Sequence, residues 1–115
     1  ARLLRRLIRN LLENARRHGG GPVALHIARS GGRASITVCD RGPGVPEAER
    51  ERVFEPFYRL AGAREGEGGA GLGLALVRRI ARRHDGDARC VPHEGGGACF
   101  EATLAAQPPV ASAPG

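Results

Sequence analysis

Glycine clusters divide this chain into short segments, and this division constrains the fold more than any other feature of the sequence. Clusters at residues 19–21, 31–32 and 95–97 separate stretches with the apolar periodicity of helices or strands. Residues 60–71 are rich in glycine and charge, which predicts a mobile loop. A chain of 115 residues has room for one hydrophobic core. The sequence therefore predicts one small domain, with no internal repeat and no apolar run long enough to span a membrane.

Two segments have the periodicity of amphipathic helices. Apolar side chains recur at i, i+3 and i+4 spacing over residues 3–15, and the first glycine cluster ends this pattern. A second helix is predicted over about residues 72–84. Its inward-facing side chains are expected to include Leu72, Leu76 and Ile80. A third, short helix is predicted over residues 46–53 because proline is favoured at a first helical position.

Four shorter segments alternate apolar and polar side chains and predict two hairpins. These segments are residues 23–28, 34–39, 88–92 and 98–104. The order helix, hairpin, helix, hairpin predicts an α+β, two-layer α/β sandwich, with helices on one face of a mixed, mostly antiparallel sheet. The proline- and alanine-rich residues 106–115 are expected to be a disordered tail after a domain over residues 1–105.

The basic composition excludes some functions. All 18 basic residues are arginine, so the chain cannot supply a Walker A lysine or a Schiff-base lysine. The net charge of +6 favours polyanions in general, but the arginines lie mainly on predicted helix faces and the chain has one tyrosine and no tryptophan. Contact with nucleic acid or with a membrane is therefore not expected.

The three cysteines, Cys39, Cys90 and Cys99, form no C-x-x-C pair and are odd in number. Each lies in an apolar, strand-like segment. This context predicts buried free thiols in a reducing cytoplasm.

The first predicted helix carries a polar cluster. Asn10 and Asn14 lie on one side of this helix, and Arg17 follows about one turn later. Amide oxygens at this spacing could bind a hard cation such as Mg²⁺, which takes few protein ligands and keeps its waters. A solvated helix face explains the segment alone equally well.

A second cluster follows the strand that ends at Cys39. Asp40 could accept a hydrogen bond from an exocyclic amine, and Gly42 and Gly44 would let the backbone approach a flat ring. An ordinary Asp/Gly turn is the alternative.

Two further clusters flank the predicted loop. Phe54 and Phe57 precede it, with Arg59 at its start, and core packing of the two rings is one explanation. Glycines at the end of the loop lead into the second helix, where free N–H groups and the helix dipole favour an anion. The residues of this cluster are Gly69, Gly71, Leu72 and Gly73. The G-x-G-x-x-G match at residues 66–71 is rejected as a dinucleotide motif, because no strand precedes it.

In this order the clusters resemble the catalytic and ATP-binding domain of bacterial sensor histidine kinases, in the wider GHKL superfamily of ATPases. Residues 10–18 resemble the N box, 40–44 the first glycine box, 54–59 the F box and 69–73 the second glycine box. Residues 95–100 are similar to the last glycine segment of the family. The resemblance covers about residues 1–105 and implies the Bergerat-type ATP-binding fold.

The resemblance assigns a role to each candidate residue. Asn14 would ligate Mg²⁺, Asn10 would help to hold metal or phosphate, and Arg17 would face the phosphates. Asp40 would bind the adenine amino group. The glycines that would line the base pocket are Gly42 and Gly44, and those that would wrap the phosphates are Gly69, Gly71 and Gly73, with Leu72 among them. Arg59 would reach toward the γ-phosphate.

The resemblance also implies partners. The family's phosphoacceptor histidine lies on a separate dimerisation domain upstream, so this chain is expected to bind Mg·ATP with little or no turnover alone. A response regulator would then take the phosphoryl group. The family's first strand precedes the N-box helix, and we expect it to be missing here. An anti-sigma-factor-type serine kinase and a non-catalytic nucleotide-sensing module remain as alternatives.

Overall fold

The computed structural model describes residues 2–18, 22–58 and 72–105. Its two α-helices and four β-strands are, in chain order, α1 (Arg2–His18), β1 (Ala24–Ser30), β2 (Arg33–Cys39), α2 (Gly73–Arg83), β3 (Asp87–Pro92) and β4 (Ala98–Ala105). Both predicted amphipathic helices and all four predicted strands are present. The predicted loop at residues 60–71 and the predicted tail at 106–115 lie outside the described residues.

The sheet has the strand order β1-β2-β4-β3, and every neighbouring pair is antiparallel. The two-residue turn between β1 and β2 places Gly31 at φ 57° and Gly32 at φ 81°. Such a pair of positive φ angles suits the right-handed twist of a hairpin and favours glycine at both positions. The second hairpin joins β3 to β4, so its return strand lies between β2 and β3.

Both helices pack on the same face of the sheet. From α1 the buried side chains are Leu7, Leu11 and Ala15, and from α2 they are Val77, Ile80 and Ala81. In β4 alternate residues are buried against the helices: Ala98, Phe100, Ala102 and Leu104. The predicted α+β, two-layer sandwich with helices on one face is confirmed.

Three local predictions are wrong. Leu72 does not face inward: it is the N-cap of α2 and is 45% exposed, because the helix begins one residue later. Residues 46–53 do not form one α-helix but two 3₁₀ turns, Glu47–Glu49 and Arg52–Phe54. So short a segment gains too few helical bonds to offset the cost of nucleation. Phe57 is exposed at a positive φ and is not a core residue, whereas Phe54 is buried.

The cysteine prediction is correct for one residue and wrong for two. Cys90 is free and buried, as expected. Cys39 and Cys99 are joined in a disulfide instead of being free thiols. They pair directly across β2 and β4, an adjacency that the sequence spacing does not reveal. Within the described residues, neither helix is long and apolar enough to cross a bilayer.

Candidate functional site

Asp40 is the one buried charged side chain among the described residues, at 3% exposure. It follows the last residue of β2 and its Oδ1 accepts two backbone hydrogen bonds, from Gly42 N at 3.0 Å and from Ala98 N at 3.2 Å. Both bonds fix the carboxylate through the same oxygen. None of the described residues donates a hydrogen bond to the other oxygen, Oδ2, which could accept one from a ligand.

The backbone around Asp40 is held by the start of β4 and the turn before it. The Asp40 N–H donates to the Ala98 carbonyl at 2.9 Å, and the Asp40 carbonyl lies 2.9 Å from Nδ1 of His93. Gly97, at φ 97°, has no room for a side chain because a Cβ there would overlap the Asp40 carbonyl oxygen. The carboxylate therefore projects from a rigid support built by two distant parts of the chain.

Gly44 lies close to the same backbone. It has φ 83°, and a Cβ at this position would lie 3.2 Å from the Gly97 carbonyl oxygen. Gly42 is half-buried and donates its N–H to Asp40. These glycines bring bare backbone beside the carboxylate, as contact with a flat ring requires.

The polar cluster of α1 lies where the second helix begins. A Cβ at Gly73 would be 4.0 Å from the Cβ of Asn10, so the first turn of α2 packs against this asparagine. Asn14 is half-buried, and its amide nitrogen is buried with no hydrogen-bond partner among the described residues. Arg17 is exposed. An unpartnered buried amide is costly, which indicates a site that a ligand completes.

The N-terminus of α2 has the properties of an anion site. Its N-cap, Leu72, makes no side-chain capping bond, and the first turn carries no acidic residue. The N–H of Leu76 donates to the Leu72 carbonyl at 2.9 Å, so the preceding N–H groups have no partner within the helix. These donors and the helix dipole would favour a phosphate group.

The unpartnered atom of Asn14 is its amide nitrogen, a donor that a phosphate oxygen would satisfy. The amide oxygen of the same side chain is the atom that could ligate Mg²⁺. Asp40, Gly42 and Gly44 lie together, and Asn10 meets the start of α2. Arg59, Gly69 and Gly71 lie outside the described residues.

Sequence reasoning missed one arginine, Arg78, that contacts several residues around Phe54. The Arg78 guanidinium lies 4.4 Å from the centroid of the Phe54 ring, which meets Phe100 edge-on at 6.3 Å. Arg78 also forms ion pairs with Glu51 and Asp87. The position of Arg78 on the helix did not predict these contacts, because the residues that it touches come from separate segments of the chain.

Comparison with known families gives a match over residues 1–108 to the family described as "Histidine kinase-, DNA gyrase B-, and HSP90-like ATPase". Among curated proteins, the chain is 45% identical over 100 residues to "Sensor protein RstB" of Escherichia coli, with 86% of the chain and 23% of that protein covered. It is 42% identical over 105 residues to "Adaptive-response sensory kinase SasA" of Crocosphaera subtropica, with 89% and 27% covered. The chain thus spans about a quarter of the length of these relatives.

Solved structures share the fold. The "Mycobacterial sensor histidine kinase MprB" superposes with a TM-score of 0.77 at 33% identity, covering 86% of this chain and 69% of that one. The "ATP binding domain of PrrB from Mycobacterium Tuberculosis" gives 0.72 at 36% identity, covering 91% and 68%. The full-length ShkA complex with AMPPNP gives 0.75 at 36% identity, covering 89% and 21%. The α/β fold predicted for the domain is the one that these solved structures share.

Proposed function

Because the chain belongs to the family of histidine kinase-, DNA gyrase B- and HSP90-like ATPases, we propose that it is the ATP-binding catalytic domain of a two-component sensor histidine kinase. Relatives named as sensor proteins and sensory kinases support this choice within the family. The domain would bind Mg·ATP and present its γ-phosphoryl group to a histidine on a separate dimerisation domain. A response regulator would then receive the phosphoryl group, and the domain would act in the cytoplasm.

The carboxylate of Asp40 is the observation that carries the proposal. Its Oδ1 accepts hydrogen bonds from two backbone N–H groups, whereas Oδ2 receives none from the part of the chain that the structure describes. The exocyclic amine of adenine supplies a matching donor. Gly42 and Gly44 would line the base beside it.

The phosphates would lie between the helices. Asn14 would ligate Mg²⁺ and Asn10 would support the metal or a phosphate, while Arg17 would face the phosphate charge. Bound Mg²⁺ would neutralise charge on the phosphate oxygens. Gly73, with its unpaired helical N–H, would bind phosphate oxygens.

Residues beside α2 complete the proposal. Leu72 would help to form the pocket where α2 begins, and Gly69 and Gly71 would wrap the phosphates. Arg59 would reach the γ-phosphate. Asn10, Arg17 and Arg59 are thus the proposed catalytic residues, since they would contact the metal or the transferred group.

Transfer needs a nucleophile in line with the γ-phosphoryl group, because positioning and charge stabilisation supply most of the catalysis in such reactions. In this proposal the nucleophile is a nitrogen of the acceptor histidine on the dimerisation domain: the bond to ADP breaks and a phosphorus–nitrogen bond forms. The isolated chain would therefore bind ATP but turn it over slowly.

Calorimetric titration with a non-hydrolysable ATP analogue, with and without Mg²⁺, tests the adenine site. In Asp40→Asn the amide oxygen can still accept both backbone bonds, but an NH₂ group replaces Oδ2 and faces the adenine amine. We expect affinity to fall at least about tenfold, since a hydrogen bond to a charged group contributes about 1.5–3 kcal/mol. Asp85→Asn is the matched control, because Asp85 is exposed and asparagine tolerates its positive φ of 62°.

Magnesium-dependent binding that is weakened in Asp40→Asn and unchanged in Asp85→Asn is the expected result. A folded wild-type chain that binds no nucleotide would contradict the proposal. If nucleotide binds, adding a histidine-bearing dimerisation domain or a serine-bearing partner then distinguishes a histidine kinase from an anti-sigma-factor-type serine kinase. A nucleotide-sensing module would phosphorylate neither.

A further inference from the structure

A cluster of three potential metal ligands lies at one end of the sheet, outside the residues proposed to hold ATP. Cys39 ends β2, Cys99 lies opposite it on β4, and His93 follows β3. The two Sγ atoms and one ring nitrogen of His93 all lie within 4.8 Å of one another. Because Val38 and Phe100 point into the helix-covered core, the adjacent cysteines point to the opposite face of the sheet.

The ring of His93 is already oriented. Its Nδ1 lies 2.9 Å from the Asp40 carbonyl oxygen, which can only accept a hydrogen bond. The proton of the neutral ring therefore lies on Nδ1, and Nε2 keeps its lone pair. Metal-binding histidines are commonly held in this way, with one ring N–H donated to a backbone carbonyl and the other nitrogen free to ligate.

The sheet also fixes the two cysteines. They are register partners with Cα atoms 4.0 Å apart, and both are largely buried, at 6% and 7% exposure. In the structure their sulfurs form a disulfide. A small dithiol reductant would open it by a two-electron exchange that leaves two thiols on the protein and a disulfide on the reductant.

We propose that, in the reduced protein, Cys39, Cys99 and His93 bind one thiophilic divalent cation of the Zn²⁺ class. Two thiolates and one imidazole are a donor set that Zn²⁺ prefers, with a water in the fourth position. At Zn–S distances of about 2.3 Å, tetrahedral geometry places two sulfurs about 3.8 Å apart. Once the disulfide is opened, rotation about the Cα–Cβ bonds changes the separation of the two sulfurs. Each thiol loses its proton to solvent when the metal binds.

Cobalt spectroscopy tests the site on the full 115-residue chain after reduction and removal of the reductant under anaerobic conditions. Co²⁺ should give one thiolate-to-metal charge-transfer band that saturates at one ion per chain, and Zn²⁺ should abolish it by displacement. His93→Gln leaves both strands intact and should weaken Zn²⁺ binding at least about tenfold. Cys39→Ser and Cys99→Ser should each remove the charge-transfer band of the two-thiolate site.

Two matched variants serve as controls. Cys90→Ala removes the free cysteine, whose thiol pKa is raised to about 11 by burial, and His84→Gln removes a histidine whose ring contacts the Ile80 carbonyl. Both should bind Co²⁺ as the wild type does. The proposal is overturned if the reduced chain gives no band, if the disulfide resists reduction in the native state, or if Cys90→Ala loses as much affinity as His93→Gln.

Discussion

Gly97 and Asp40 meet at the start of β4, and the contact leaves no space for a methyl group. A Cβ at Gly97 would overlap the Asp40 carbonyl oxygen, in a backbone conformation with φ 97°. Gly97→Ala should therefore lower the free energy of unfolding by about 3 kcal/mol, from backbone strain and overpacking together. Urea denaturation measures this loss.

Gly96 provides the control for that substitution. Its φ of 116° is also positive, but nothing lies within 4 Å of its missing Cβ. Gly96→Ala should cost only the conformational strain, about 1 kcal/mol. Equal losses of unfolding free energy for the two variants would show that the contact with the Asp40 carbonyl does not determine which side chains position 97 accepts.

At the residue scale, local spacing predicts groups that lie within one element or one turn. Asn10 and Asn14 share a face of α1, and Asp40 receives the N–H of Gly42 two residues later. The contact of Asp40 with His93 spans 53 residues and has no local signal. The exposure of Phe57 also had no signal in the sequence. Two phenylalanines three residues apart look the same in the sequence whether one ring or both rings are buried.

At the element scale, Arg78 connects α2 to β3 and to the 3₁₀ turns. Its guanidinium forms two hydrogen bonds with Glu51, at 2.9 and 3.0 Å, and donates to the Ala88 carbonyl at 2.8 Å. Its side chain is 14% exposed, whereas that of Arg82 is 58% exposed. The fork geometry and the stacking on Phe54 therefore distinguish Arg78 from its neighbour.

Arg78→Lys should lower the free energy of unfolding by about 1–2 kcal/mol, because an ammonium cannot make the paired bonds or stack as a planar group. Arg82→Lys should change it by less than about 0.5 kcal/mol, as is usual for exposed ion pairs. Thermal or urea unfolding of the two variants gives the comparison. A loss at position 82 as large as that at position 78 would contradict this account.

The same contact makes stability depend on pH. The hydrogen bond from Arg78 lowers the pKa of Glu51 below its ordinary value of 4.5. A carboxylate with a lowered pKa in the folded state stabilises the protein above its ordinary pKa and loses this effect as pH falls through the lowered value. Wild type should thus lose stability on acidification below pH 4.5, and Glu51→Gln should lose less over the same range in urea titrations.

The positions of the helices and strands were largely predictable, because the spacing of apolar side chains within one segment shows which face of that segment is buried. The stripe over residues 3–15 gave α1, which extends about one turn further to His18. Residues 46–53 carried a proline start signal but formed 3₁₀ turns, in which the Nε of Arg50 donates to the Val45 carbonyl at 3.1 Å. This bond is local, and a segment of eight residues gains too few helical bonds to offset the cost of nucleation, so the proline signal alone does not produce an α-helix.

At the scale of the whole molecule, strand order depends on pairings between segments that are far apart in the chain. Alternation identified both hairpins but could not show that β4 inserts beside β2. That insertion places Cys39 opposite Cys99, so the disulfide was unpredictable for the same reason. The same pairing joins β2, which ends just before Asp40, to β4. The first residue of β4, Ala98, donates its N–H to the carboxylate of Asp40.

The disulfide closes a loop with a sequence separation of 60 residues, which restricts the unfolded chain across half of the domain. Chain-entropy estimates for such a loop give about 4 kcal/mol. In metal-free buffer, a dithiol reductant should therefore lower the free energy of unfolding by up to about 4 kcal/mol, measured as a lower urea midpoint. Cys90→Ala should respond to reductant as the wild type does. The double variant Cys39→Ser/Cys99→Ser should not respond, and a wild-type midpoint that is the same with and without reductant would contradict a stabilising link between β2 and β4.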